Sequence, residues 1–143
     1  MPNSQQTIYE IIGGEETVRE LVDVFYAKVE ADPVLRPIFP DDLEPGKRWQ
    51  YLFLMQRWGG PTQYAAERGH PRLRMRHMPF PIDSEARDHW VQHMLDAVDE
   101  VGIPEPARSE MRQFFDQGAT FMINRYAPQD ASDDSDEQGD SEA

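Results

Sequence analysis

Residues 68–82 read Arg68-Gly69-His70-Pro71-Arg72-Leu73-Arg74-Met75-Arg76-His77-Met78-Pro79-Phe80-Pro81-Ile82. Arg68, Arg72, Arg74 and Arg76 are four of the chain's 14 Lys and Arg residues, gathered here in a protein that is otherwise acidic. Leu73, Met75, Met78, Phe80 and Ile82 alternate with them. Cations interleaved with large apolar groups suit a flat amphiphile that has a greasy face and an anionic edge. His77, in the middle, carries a neutral imidazole nitrogen able to act as an axial iron ligand. Haem is one molecule of that kind. The same residues also fit a solvated cationic face or a weak RNA-binding patch, with His77 an ordinary polar side chain and the aromatics plain core. On pattern alone these readings stand side by side.

The rest of the chain narrows them. Its 143 residues suffice for one domain with a single core, and 38% are hydrophobic, including three Trp, seven Phe and seven Met. There is no Cys, which excludes disulfides, thiolate iron ligation, iron–sulfur clusters and thiol nucleophiles. Any metal or cofactor falls to His, carboxylate, Tyr or Met. The net charge of −13 is uneven. Residues 127–143 hold seven acids (Asp130, Asp133, Asp134, Asp136, Glu137, Asp140, Glu142) and no base; removing those seven from 27 leaves 20 acidic against 14 basic residues. That stretch has no large apolar side chain and reads as an acidic disordered tail, leaving 1–126 as the folded domain. The overall acidity argues against nucleic acid as a partner, because phosphate is repelled. A polar N-terminus and the lack of any long apolar run point to a cytoplasmic protein without a membrane partner.

Working outward from the arginine stretch, the chain reads as helices punctuated by Gly and Pro, with no alternating strand. Residues 15–31 place Val18, Leu21, Val22, Phe25 and Val29 on one stripe, with Tyr26 at its edge. Asp32-Pro33 ends that helix, and Pro37 and Pro40 limit the next piece to a short turn carrying Ile38 and Phe39. A helix from about Pro45 to Trp58 holds the run Tyr51 to Met55, and a short one follows over 62–68. Asp83 or Ser84 caps a third long helix, whose stripe is Trp90, Val91, Met94, Leu95, Val98 and Val101. Gly102 closes it. Pro104 and Pro106 open a last helix with Met111, Phe114, Phe115, Gly118 and Met122 facing inward. The expected class is all-α.

Five segments in register then resemble one family. The 68–80 stretch is similar to the proximal signature of the group II truncated haemoglobins. Gly13-Gly14, Phe25-Tyr26, Trp58-Gly59-Gly60-Pro61 and Trp90 follow the same family pattern, and the resemblance spans roughly residues 7–125. It implies a truncated globin, a two-over-two helical sandwich around one haem b. By matching position, His77 is the implied proximal ligand and Phe39 the aromatic packed on the porphyrin. Tyr26, Gln50 and Trp90 form the distal, gas-binding side, and Gly46, Trp49, Phe53, Tyr64, Leu73, Arg76 and Phe80 also contact the cofactor. Phenol, amide and indole are three hydrogen-bond donors, a fit for dioxygen with slow release, and carbon monoxide and nitric oxide are the other implied ligands.

Two positions depart from the family pattern. Gly46 stands where a distal gate side chain is expected, which predicts an open solvent path on that edge. Trp49 replaces a common propionate-binding cation, so that charge falls to Arg76, Arg72 or Arg48, with Tyr64 reaching the other propionate. The same pocket could act as a peroxidase or oxidise nitric oxide, the latter needing an external reductase since the chain has no flavin or nicotinamide domain. Either a monomer or a homodimer fits. His89 and His93 have a metal-chelating spacing, but Trp90 breaks the pattern His-Glu-x-x-His, so they read as two surface histidines.

Overall fold

Thr7 starts the first helix by a reciprocal cap: its hydroxyl accepts from the Glu10 amide at 3.2 Å, and the Glu10 carboxylate accepts from the Thr7 amide at 3.1 Å. That helix, α1 (Ile8–Ile12), is too short to stand alone. It is anchored by the Tyr9 amide donating to the Trp58 carbonyl at 2.9 Å. Gly60 permits this contact, since a Cβ there would lie 2.8 Å from the Tyr9 ring. Gly13 turns the chain with φ 109°, a conformation glycine adopts without steric cost, and α2 (Glu15–Glu30) begins two residues later.

The computed structural model describes residues 6–125. After α2 come a 3₁₀ turn (Arg36–Ile38), α3 (Glu44–Arg57), α4 (Gln63–Arg68), α5 (Leu73–His77), α6 (Ser84–Val101) and α7 (Ala107–Phe121). There is no strand among the described residues, and none of their helices is long and apolar enough to cross a membrane. The acidic stretch 127–143 lies outside the described residues.

The principal packing is α2 on α6, α6 on α7 and α2 on α3, with α4 against α3. The stripe read along α2 is the core: Val18, Leu21, Val22, Phe25 and Val29 are fully buried, and Tyr26, expected at its edge, is buried as well. Met94, Ala97 and Val98 of α6 and Met111 and Phe115 of α7 close over them. Each large apolar side chain removed from water here contributes about 1.5–3 kcal/mol. Asp83, not Ser84, is the N-cap of α6, accepting from the Ala86 amide at 2.8 Å. Gly102 stops α6 at φ 82°. Charged pairs between helices sit at the rim, among them Lys28 with Glu100 and Arg87 with Asp116, where each adds little.

Candidate functional site

The arginine-rich stretch folds as a short helix held from outside. Gly69 (φ 77°) and Arg72 (φ 45°) both take left-handed conformations before α5, and Arg72 is the only non-glycine among the described residues to do so. That conformation costs about 1–2 kcal/mol for a residue with a Cβ, so neighbouring contacts must impose it. Arg74 supplies two of them, donating through Nε to the Phe121 carbonyl (3.0 Å) and through Nη2 to the Ile123 carbonyl (3.2 Å). Arg76 donates to the Pro71 carbonyl at 2.9 Å. Pro79 and Pro81 prevent α5 from continuing. Beyond it, Asn124 donates from its amide nitrogen to the carbonyls of His77 (3.2 Å) and Phe80 (3.0 Å), while its oxygen accepts from the Ile82 amide (2.9 Å). Asn124 is a positioning residue that the sequence reading missed; its partners lie more than 40 positions away, and no local pattern marks it.

His77, half-buried, has its Nδ1 2.7 Å from the Leu73 carbonyl one turn earlier. Only a protonated Nδ1 can donate to that oxygen, which leaves Nε2 as the lone-pair nitrogen, without a partner among the described residues. A ring oriented in this way by a backbone carbonyl is prepared to ligate a metal.

Gly46, Trp49, Gln50 and Phe53 recur on α3 at spacings of three, one and three, and so share one side of that helix. Trp49 and Phe53 pack edge-on against Tyr64 of α4, with centroids 5.9 and 5.7 Å apart. Tyr26 meets Phe39 edge-on at 5.8 Å, and Trp90 meets Phe25 at 5.2 Å, next to Tyr26 on α2. Burial pushes the Tyr26 phenol up to about 12, so it remains a neutral O–H donor throughout the physiological range. Gly46 is exposed, and a Cβ there would lie 3.0 Å from the Tyr26 hydroxyl. A cleft of about 220 Å³, lined by Asp23, Tyr26, Glu30, Leu43, Glu44 and Lys47, reaches Tyr26 from solvent beside it.

Among the described residues, three buried side-chain atoms have no hydrogen-bond partner: Gln50 Oε1, the Tyr64 hydroxyl and Arg74 Nη1. A buried polar atom left in this way costs about 1–3 kcal/mol. Tyr64 is expected to touch a cofactor and Gln50 to face its bound gas. Phe39, Trp49, Gln50, Phe53, Leu73, Arg76, His77, Phe80 and Trp90 are all only half-buried. Apolar walls, an imidazole with a free nitrogen and orphaned polar atoms are the complement of haem, with its flat ring, iron and propionates. The residues fit that group.

The candidate propionate cations separate clearly. Arg48 is held by Glu67 through two bonds of 2.9 Å, and Arg68 lies over the Trp49 ring at 4.3 Å. Arg76 spends its Nε on Pro71. Arg72 is exposed, and its guanidinium has no partner among the described residues. His89 and His93, expected as two surface histidines, are partly exposed and both face Asp32.

A family model for bacterial-like globins matches residues 7–124. The chain is 44% identical to the group 2 truncated haemoglobin YjbI of Bacillus subtilis, covering 92% of this chain and 99% of that protein. Its structure is similar to the haemoglobin of the thermophilic phototroph Chloroflexus aurantiacus, with a TM-score of 0.83, 62% identity and coverage of 84% and 99% of the two chains. It is also similar to the truncated oxygen-avid haemoglobin of Bacillus subtilis, with a TM-score of 0.79, 45% identity and coverage of 83% and 100%.

Proposed function

Since the chain belongs to the bacterial-like globins, and among them to the group II truncated haemoglobins, we propose that it binds haem b through His77 Nε2 and holds dioxygen tightly beneath Tyr26, Gln50 and Trp90. Haem supplies the iron centre at which dioxygen, carbon monoxide or nitric oxide binds reversibly. The observation that carries the reading is the His77 ring: Nδ1 is committed to the Leu73 carbonyl, and the fixed tautomer leaves Nε2 for the metal. With no Cys in the chain, thioether attachment is impossible, which supports a b-type group held by packing and charge.

The distal residues act through their protons. Tyr26 keeps its phenolic hydrogen because burial disfavours the phenolate, while Gln50 carries an amide NH2 and Trp90 an indole N–H. A gas that draws electron density toward its outer atom is retained by such donors. Each hydrogen bond contributes about 1 kcal/mol, so removing one speeds release roughly fivefold and removing two roughly thirtyfold. The oxygen-avid relative in Bacillus subtilis supports slow release as the working mode. At the cofactor's edge the Tyr64 hydroxyl and the Arg72 guanidinium serve the propionates, with the free Nη1 of Arg76 in reserve.

Stopped-flow oxygen release from the ferrous protein tests this. Tyr26→Phe and Trp90→Phe should each accelerate release severalfold, and the double variant by tens of times. Release already as fast in the unaltered protein as in the double variant would overturn the proposal.

A further inference from the structure

Asp32 is the only buried charged residue among the described ones. It follows α2, where its Oδ1 accepts from the backbone amides of Val34 (2.7 Å) and Leu35 (3.4 Å) and stitches the chain into the next turn. Its other oxygen, Oδ2, faces two imidazoles of α6: His89 Nδ1 at 2.8 Å and His93 Nε2 at 2.6 Å. No Lys or Arg among the described residues pairs with it. Two neutral imidazoles offer dipoles to this buried carboxylate and no charge, and a cation would stabilise the anion further. Either a proton shared with the histidines or a metal ion can do so.

We propose that Asp32, His89 and His93 form a binding site for a divalent transition cation of the zinc class, apart from the crevice around His77. The three ligand atoms lie within 4.8 Å of one another. A tetrahedral ion with bonds of about 2.1 Å needs its ligand atoms about 3.4 Å apart, so loading asks the contacts of 2.8 and 2.6 Å to lengthen by about 0.6 and 0.8 Å. Both histidines are partly exposed, at 37% and 22% of the side chain, and free to make that shift. Asp32 is not: two backbone amides fix its far oxygen, as an outer shell orients a first-shell ligand.

Histidines four apart on a helix present nitrogens to the same side, and each ring offers the atom now facing Asp32 once its proton has moved to the other ring nitrogen or to solvent. Glu85 and Asp88 add negative potential at His89, although Asp88 also pairs with Arg87. Imidazole with one carboxylate suits zinc, copper or nickel, and exposure leaves the remaining positions to water. A loaded site would tie the end of α2 to α6 on both sides of Trp90.

Zinc chloride titrated into the full-length haem-loaded protein by isothermal calorimetry, with thermal melts alongside, tests the proposal. The expected result is one equivalent of zinc per chain, about tenfold or more weaker in His89→Gln and in His93→Gln and unaltered in His70→Gln. Zinc should raise the melting temperature of the unaltered protein and leave that of His93→Gln where it was. Zinc-edge absorption of the loaded unaltered protein should show two imidazole nitrogens, a readout that survives if a variant fails to fold. No one-equivalent binding, binding that both His→Gln variants retain, or a zinc shell without imidazole would each overturn the proposal and leave a protonated clasp.

Discussion

The core built by α2, α6 and α7 differs in kind from the region built by α3 and α4. In the first, Leu21, Val22, Phe25, Met94, Val98 and Met111 are wholly removed from water, and the buried carboxylate of Asp32 has four hydrogen-bond donors around it. In the second, large apolar side chains stay half-buried and Gln50 Oε1 and the Tyr64 hydroxyl lie buried without partners. The same chain closes one region completely and leaves the other short of both contacts and hydrogen bonds. The half-open region is the one that the haem proposed for this chain would complete.

Substitutions should therefore act in opposite directions in the two regions. Met94→Ala leaves a cavity in a core that cannot refill it, and should lower unfolding stability by about 2–5 kcal/mol in denaturant titrations, with or without haem. Tyr64→Phe and Gln50→Leu remove buried groups that the polypeptide alone does not satisfy. In the haem-free protein each should be neutral or stabilising by about 1 kcal/mol, yet each should weaken the loaded protein, Tyr64→Phe by faster haem transfer to an acceptor globin. If both lower the stability of the haem-free protein by as much as Met94→Ala does, the distinction between the regions fails.

The smallest effect belongs to the Asp32 clasp. Burial alone would push the Asp32 carboxyl up, but donation from His89, His93 and the amides of Val34 and Leu35 outweighs it and holds the group well below the usual carboxylate range. The hydrogen bond to Asp32 raises the His89 imidazole. The lowered acid contributes stability that is present above its unfolded value of 3.8 and lost in more acidic solution. The raised base contributes stability that is present below its unfolded value of 6.5 and lost as pH climbs through the folded value. The clasp is thus strongest between about pH 4 and 6.5. With a chelator present, His89→Gln should cost more stability at pH 6 than at pH 8; equal costs would remove the ionic character of the contact.

How far the sequence could be read follows the same division. Val18, Leu21, Val22, Phe25 and Val29 keep a helical period along the 16-residue α2, and the Asp83 cap is a local signal, so α2 and the start of α6 are legible from the residues themselves. Tyr26 was placed at the edge of its stripe and is buried, because α3 packs over that side of α2. The five residues of α5 carry no period, and Arg74 and Asn124 hold them across the length of α6 and α7. Asp32 lies 57 and 61 positions from its two histidines; their spacing of four could be read, and their third partner could not. Among the site residues, Tyr26 and Trp90 look like ordinary core by periodicity, and the family resemblance alone gave them a role.

The central claim is that the half-open region is a haem crevice organised on His77. Its most direct test is the absorption spectrum of the purified protein, oxidised, reduced under air and reduced under carbon monoxide, beside His77→Ala. The account predicts a Soret band that shifts with each gas and is lost or displaced in the variant. A protein that takes up no haem on reconstitution, or whose gas-dependent spectrum is the same without the His77 imidazole, would contradict it.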